Sequence, residues 1–473
     1  MTVRWMRSRI WPAFMAACGC FVLGWACRIH AEGGEPRYFA ITNARVVPVS
    51  GPPIDGGTVV IANGLIQAVG SDVAIPPEAW VIDGKGLTVY PGFIDAGTDL
   101  GLAKPDGADE AAARARGRQP APPPAEISMG PEDRPATTPW RVAADEIKTD
   151  DKRIESWRNA GFTTTLTSPE AGFFPGQGSV IDLAGDRPGD MIVKPAATLP
   201  VSFKPRGSFF LFPGSLMGSI AYVRQVFDDA SWYSQAQPVY DANPNQFERP
   251  AYDHTQETIS HTRERDELVL LPANNSIQIL RALRLADEWK IRAALYGGQE
   301  GYAVSEAIAA KKTSVLVNLK WPERAKESDP EEEQPLRELR FRDRASSTPG
   351  ALAKAGVKFG FYSGGLKEPK EIFKAARKAI DAGLATDAAL RAFTLDAADI
   401  LGVSGRLGSI QPGKIANLVI ADGDLWNEKT KVKHVFVDGR WFEVHEPPPG
   451  EKPEEKKPER AAGSSSTAGG GGL

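Results

Sequence analysis

The chain has 473 residues and an ordinary globular composition, with 42% hydrophobic and 25% charged residues. Its formal net charge of −4 provides no basic field to attract nucleic acid, which argues against DNA- and RNA-binding functions. The length allows two or three domains, or one large barrel with an added module.

Residues 1–33 have the pattern of an export signal. Three arginines precede an apolar run that ends at Cys27, and small residues such as Ala31 follow it. This order predicts export to the periplasm or cell envelope, with the leader as the chain's only membrane contact. The sequence leaves open whether the leader is cleaved, lipidated at Cys18 or retained as an anchor.

All three cysteines lie in this leader, at positions 18, 20 and 27. A mature chain without the leader therefore has no disulfide, no thiolate nucleophile and no cysteine-ligated metal. Its stability outside the cytoplasm must come from core burial, which a chain of this length can supply.

Two β-rich segments flank a longer segment of alternating strand and helix patterns. Residues 38–90 and 403–444 carry short β-branched runs broken by Gly and Asn, and they are predicted to form one small β-sandwich. Residues 91–402 alternate between apolar runs and helical patterns, as an α/β architecture requires. The predicted strands there are 161–168, 267–273, 291–298, 314–320 and 357–365, and the predicted helices are 155–160, 276–290, 301–311 and 369–383.

Three further segments are predicted to be irregular. Lys104–Thr138 is rich in Ala, Pro and charged residues and is expected to form a long loop. Trp321–Arg344 is highly charged and is interpreted as a solvated excursion, with a ligand-binding lid as the alternative. Residues 446–473 lack core-forming side chains and are expected to be disordered.

Several motifs resemble those of a known superfamily. Residues 91–101, PGFIDAGTDLG, resemble the PGFIDAHTHLG strand of the amidohydrolase superfamily, the metal-dependent hydrolases related to imidazolonepropionase and dihydroorotase. Residues 406–424 resemble the closing segment of that family, and residues 42–70 resemble its opening. The resemblance implies a (β/α)8 TIM-type barrel with a small β-sandwich formed by the N- and C-terminal segments. It also implies hydrolysis of carbon–nitrogen bonds other than peptide bonds.

The metal ligands of the family are not conserved in this resemblance. Family members bind one or two divalent metals through two histidines on the first strand, a lysine, two later histidines and a last-strand aspartate. The metal lowers the pKa of bound water to about 7. The corresponding positions and their neighbours, which are also the candidate pocket residues, are Gly97, Thr98, Asp99, Pro200, Pro272, Asn274, Gly297, Ser363 and Gly364.

Glycine and proline side chains offer no lone pair to a metal, and Asp99 alone does not make a zinc or iron site. The sequence therefore predicts no metal cofactor. His254, Glu257 and His261 would share one face of a helix, but the charged surroundings favour a solvated surface there. Asp95 is expected to anchor backbone at its strand end, and a carboxylate pair of Asp95 with Asp99 is the alternative.

These observations favour a degenerate, metal-free member of the family that binds a small ligand. One alternative is an active amidohydrolase with an unorthodox site, for which Asp99 is the only catalytic candidate. Another is a non-catalytic scaffold of the cell envelope. The sequence does not specify the ligand, any residual activity or the oligomeric state, and a homo-oligomer stays open.

Overall fold

A computed structural model describes residues 38–103, 131–204, 212–324 and 333–444. The predicted leader, the predicted disordered tail and most of the predicted loop from Lys104 to Thr138 lie outside these ranges. Within them, no helix is long and apolar enough to cross a bilayer.

One sheet joins the two ends of the chain, which confirms the predicted pairing of the terminal segments. Its strand order is β16-β15-β14-β5-β1-β2-β3, and β4 lies beside β1. Antiparallel pairing of β5 with β14 connects the amino-terminal part to the carboxy-terminal part. The strands are β1 (Tyr38–Val46), β2 (Ile54–Ala62), β3 (Leu65–Gly70), β4 (Trp80–Asp83), β5 (Thr88–Pro91), β14 (Leu418–Ala421), β15 (Val432–Val437) and β16 (Arg440–Glu443).

Two-residue turns set the register of this sheet. Asn63 and Gly64 connect β2 to β3, and Asp438 and Gly439 connect β15 to β16. All four residues have positive φ angles. Asn-Gly and Asp-Gly are the pairs that tight β-hairpins favour, because both central residues of such turns need positive φ.

The second sheet is a barrel whose eight strands follow one another in chain order from β6 to β13. Five of them, β7 and β10 to β13, lie within the predicted ranges. The strands are β6 (Phe93–Thr98), β7 (Phe162–Thr167), β8 (Gly178–Asp182), β9 (Ile192–Pro200), β10 (Leu268–Ala273), β11 (Ala293–Gly297), β12 (Ser314–Asn318) and β13 (Phe359–Tyr362).

One barrel strand departs from the regular (β/α)8 pattern. Strand β8 runs antiparallel to both β7 and β9, whereas the other neighbouring barrel strands that pair are parallel. A parallel crossover needs a dozen or more residues, and the connection from β7 to β8 is shorter than that. The carboxyl end of β8 consequently lies at the base of the barrel, opposite the carboxyl ends of the parallel strands.

Helices cover the outside of the barrel, and those predicted at 155–160, 276–290, 301–311 and 369–383 are all present in shortened or slightly shifted form. The α-helices are α1 (Arg153–Asn159), α2 (Pro188–Met191), α3 (Leu216–Ala242), α4 (His254–Glu264), α5 (Ser276–Trp289), α6 (Ser305–Ala310), α7 (Leu336–Arg344), α8 (Thr348–Lys354), α9 (Pro369–Asp381), α10 (Thr386–Phe393) and α11 (Leu395–Leu401). Short 3₁₀ turns occupy Pro131–Asp133, Ala143–Glu146, Gly301–Ala303 and Ala345–Ser347.

Alternation along the strands separates the barrel interior from the helix-facing layer. In β12, Val315 and Val317 belong to the cluster that includes the covering helices, whereas Leu316 belongs to the interior cluster. Because side chains alternate between the two faces of a strand, Asn318 shares the face of Leu316 and points to the barrel interior at the carboxyl end of β12. We call the ring formed by the carboxyl ends of the parallel barrel strands the barrel mouth.

The charged segment after β12 begins with a buried anchor. Trp321 is only 7% exposed, and its Nε1 donates a hydrogen bond of 2.9 Å to the Ala375 carbonyl oxygen. Leu336–Arg344 forms helix α7, which buries none of its residues. The segment predicted to be wholly solvated is therefore attached to the barrel wall at its start.

Candidate functional site

An aromatic ring fills the space beside Gly97 at the end of β6. A Cβ atom built on Gly97 would lie 3.2 Å from Cδ2 and 3.3 Å from Cγ of Tyr362. Tyr362 ends strand β13 and is buried. A histidine side chain at position 97 would therefore need the Tyr362 ring to move.

A second tyrosine lies next to the first. The ring centroids of Tyr296 and Tyr362 are 5.9 Å apart, with an interplanar angle of 53°. Burial raises the pKa of Tyr296 above its ordinary value, and the nearby Glu170 carboxylate adds to the increase. Burial also raises the pKa of the Tyr362 hydroxyl strongly. Both hydroxyls are therefore neutral at pH 7, and the centre of the barrel mouth presents uncharged aromatic groups.

Asp99 is engaged in an ion pair. Its Oδ1 lies 2.6 Å from Nη1 of Arg153, and its carbonyl oxygen accepts a second hydrogen bond from Nη2. Arg153 also contacts Asp151 at 2.7 Å. Between Gly97 and Asp99, the Thr98 hydroxyl shares a hydrogen bond of 2.8 Å with the Thr165 hydroxyl.

Prolines occupy two of the remaining positions. Pro200 pairs with Leu270 at the end of β9, and Pro272 pairs with Tyr296 near the end of β10. Neither proline ring has an atom that could coordinate a metal.

Asn274 excludes a side chain at Gly297. Gly297 has a φ of +112°, and a Cβ built on it would overlap the Oδ1 atom of Asn274. Asn274 thus takes up the space that a side chain at position 297 would need.

Asn318 excludes a side chain at Gly364. Gly364 has a φ of +60°, and a Cβ built on it would overlap the carboxamide of Asn318. The Asn318 Oδ1 atom is fixed by a hydrogen bond of 2.7 Å from the backbone N–H of Lys320. The preceding residue, Ser363, contacts Asp95, since its backbone N–H donates to Asp95 Oδ1 at 3.0 Å.

Asp95 anchors backbone at the strand end, as the sequence predicts. Its second oxygen, Oδ2, accepts a hydrogen bond of 3.3 Å from Trp157 Nε1. The side chain is buried, and burial raises its pKa to about 6 despite hydrogen bonds from Ser363 and Trp157. Both oxygens accept hydrogen bonds from protein donors, and the side chain is buried.

Sequence reasoning did not identify Tyr362 as a mouth residue. The signal that could have found it is the alternation in β13, where Phe359 and Phe361 belong to the helix-facing cluster and Tyr362 to the interior one. Asn318 ends strand β12, and Gln299 follows strand β11. Gln299 Nε2 donates to the carbonyl oxygens of Asn318 and Lys320, at 3.2 and 2.6 Å.

Comparisons with known proteins agree with this architecture. Residues 273–442 match the sequence model of the amidohydrolase family. The crystal structure of an amidohydrolase from Thermotoga maritima MSB8 is 27% identical, with a TM-score of 0.71, and the match covers 86% of this chain and 100% of that one. This chain belongs to the amidohydrolase superfamily.

Two more distant structures share the fold of this chain. A prolidase complexed with N-methylphosphonate-L-proline is 20% identical, with a TM-score of 0.53, over 86% of this chain and 99% of that one. Molinate hydrolase is 16% identical, with a TM-score of 0.50, over 91% of this chain and 100% of that one. No curated protein matches the chain.

The residues of this chain do not fit the family metal. Glycine or proline stands at most of the positions that the sequence resemblance assigns to the ligands, and the Tyr362 ring and the Asn274 and Asn318 carboxamides occupy space beside these glycines. Within the described ranges, no group of three or more His, Cys, Asp or Glu side chains could hold a metal ion.

Other histidines do not supply such a centre in the part of the chain that the structure describes. His254 is exposed and packs between Trp140 and Tyr252, with ring centroids 5.5 and 4.8 Å away. His434 is half-buried, and its Nδ1 lies 3.2 Å from Nε1 of Trp441. His445 lies outside the described residues.

A cleft of about 1190 Å³ adjoins the barrel mouth. Residues 319–323 after β12 line one side, and residues 365–368 and helix α9 line the other. The lining carries both signs of charge, including Lys320, Lys367 and Glu371. Such a surface suits a polar organic molecule better than a purely apolar one.

A second buried carboxylate connects the barrel base to the terminal sheet. Asp182 Oδ1 accepts hydrogen bonds of 2.7 Å from the Thr164 hydroxyl and 2.8 Å from Asn417 Nδ2. The Asn417 Oδ1 atom accepts a hydrogen bond of 2.7 Å from the Asp438 backbone N–H. Burial raises the pKa of Asp182 to about 7, although the hydrogen bonds from Thr164 and Asn417 oppose the increase.

The two buried carboxylates predict a pH-dependent stability. Because the folded-state pKa values of Asp95 and Asp182 exceed the ordinary value of 3.8, the folded state binds their protons more tightly than the unfolded state does. The free energy of unfolding should therefore fall as pH rises from about 4 to about 7, by on the order of 1 kcal/mol per pH unit for each group within its window. Urea denaturation at a series of pH values measures this slope.

Asp182→Asn keeps an oxygen acceptor but cannot titrate. The free energy of unfolding of this variant should therefore change less with pH between roughly pH 6 and pH 7 than that of the unsubstituted chain. Asp72→Asn, at an exposed position, is the matched control and should leave the slope unchanged. An Asp182→Asn protein with the slope of the unsubstituted chain would contradict the prediction.

Restoring the family aspartate at the last strand should destabilise the fold. Gly364→Asp places a side chain against the Asn318 carboxamide, whereas Gly365→Asp, also at positive φ, meets no atom within 4 Å. We expect the free energy of unfolding to fall by about 1–3 kcal/mol more for the first substitution than for the second, because overpacking adds to backbone strain. Chemical denaturation of the two variants gives the comparison, and equal losses would show that the space beside Gly364 is open.

Proposed function

We propose that this chain is a metal-free member of the amidohydrolase superfamily that binds a small polar ligand at the barrel mouth and does not hydrolyse it. The observation that carries the proposal is the packing of the buried Tyr362 ring against Gly97, at the position of the first family histidine. A metal centre would need donor atoms where this site has an aromatic ring, two prolines and the carboxamides of Asn274 and Asn318.

The carboxylates near the mouth are poorly placed to replace the metal. The family reaction requires activation of water and polarisation of a carbonyl, which a divalent metal supplies. Asp99 is held by Arg153 at 2.6 Å. Asp95 directs both oxygens to protein donors, Ser363 and Trp157. Arg153, Ser363 and Trp157 therefore give both carboxylates structural partners.

The mouth retains the features of a binding surface. Tyr296 contributes a partly exposed ring, and Asn274 contributes an exposed carboxamide. Lys320 and Glu170 add exposed charges of opposite sign. Aromatic faces combined with a few polar groups are typical of sites that orient small organic molecules, and the adjoining cleft gives such a molecule room.

A ligand screen in the presence of a chelator tests the proposal. The screen would cover amino acids, dipeptides, N-acyl amino acids and cyclic amides, with thermal unfolding as the readout and mass spectrometry of the recovered compound. We expect at least one compound to raise the melting temperature with the chelator present and to be recovered unchanged. The reason is that binding to the folded state alone stabilises it.

Two lysine variants locate the binding. Lys320→Ala, at the mouth, should reduce the shift in melting temperature, whereas Lys354→Ala, exposed before β13 at the opposite end of the barrel, should not. Metal-dependent hydrolysis of a screened compound would contradict the proposal. If the compound still raised the melting temperature of Lys320→Ala but not that of Lys354→Ala, the ligand would bind away from the barrel mouth.

A further inference from the structure

An exposed apolar stretch precedes and includes strand β4. Residues 73–81 read VAIPPEAWV and contain one charged residue, Glu78. The exposed fractions are 41% for Ile75, 56% for Trp80 and 53% for Val81. We call residues 73–81 the β4 edge patch.

The patch is exposed because β4 lies at an edge. Within the described residues, β4 pairs with β1 alone, in parallel, with Phe39 opposite Trp80 and Ala40 opposite Val81. Ile82 is buried in the core of the sheet and holds the strand in place. Apolar edge strands are commonly covered or charged in soluble proteins, so an uncovered one marks a contact surface.

The register of β4 places this patch close to the start of the folded chain. Trp80 lies opposite Phe39, and the described residues begin at Tyr38. The apolar run of the predicted leader ends at Cys27. Ten residues, 28–37, therefore separate the end of this run from Tyr38. Ten residues cannot span more than about 35 Å. A leader retained in a bilayer would therefore keep the patch within that distance of the lipid.

We propose that the β4 edge patch rests on the lipid interface of the membrane that holds the retained leader. Tryptophan favours this interface because its ring is apolar and its N–H remains hydrated. Asp72, Glu78 and Asp83 lie in or beside the patch, so attraction to anionic lipid does not drive the contact. The tether instead raises the effective concentration of the patch at the bilayer, which makes a weak apolar contact persistent.

Radical footprinting of the full chain tests this contact. The protein would be reconstituted in phosphatidylcholine vesicles, its intact mass would establish whether the leader is retained, and the oxidation of each tryptophan would be followed by peptide mass spectrometry. The comparison is a chain with a long Gly-Ser insertion between Gly34 and Glu35. Trp232, which is 60% exposed on helix α3, is the matched internal control.

We expect Trp80 to be oxidised several-fold more slowly in the natural chain than in the lengthened one, with equal oxidation of Trp232 in both. Equal oxidation of Trp80 in the two chains would overturn the proposal. Protection that survives the insertion and increases with protein concentration would assign the patch to a second copy instead. An intact mass without the leader would remove the tether and overturn the proposal as well.

Discussion

The hydrogen bonds accepted by the Asp95 carboxylate determine the geometry of the barrel mouth. β6 and β13 are the two ends of the barrel sheet, and Asp95 on β6 accepts the backbone N–H of Ser363 directly after β13. The same carboxylate accepts from Trp157 on α1, so it connects both barrel ends to a covering helix. This seam brings Gly97 against Tyr362, so that a larger side chain at position 97 would press on the Tyr362 ring. Burying a charged carboxylate is unfavourable unless donors form hydrogen bonds to it, and the partners of Asp95 are such donors.

Much of the fold could be predicted from the sequence. The strands β10 to β13 are apolar runs of strand length bounded by turn residues, and the Asn63–Gly64 turn identifies a hairpin. Strand β8 was missed because it is short and enters the barrel by a hairpin rather than a crossover. Helix α3 was missed because its buried face includes Ser219 and Tyr222, which hydropathy does not count as core residues.

The candidate site was predictable only in part. Residue type alone shows that Gly97 and Pro272 cannot coordinate a metal. The side chain that packs beside Gly97 comes from a distant part of the sequence. Tyr362 contacts Gly97 only when the barrel closes. The positive φ of Gly364, which directs its Cα hydrogen toward Asn318, is likewise a property of the folded backbone. The pairing of Asp99 with Arg153 depends on the path of the chain between β6 and α1.

We propose that aromatic, proline and amide side chains stand where other members of the superfamily hold a metal centre. Metal content tests it most directly. The protein would be produced with zinc, manganese and iron supplied and analysed by inductively coupled plasma mass spectrometry. We expect less than about 0.1 metal ion per chain, because the residues that the structure describes contain no assembled ligand set to retain one. About one or two ions per chain, retained through gel filtration, would contradict the account.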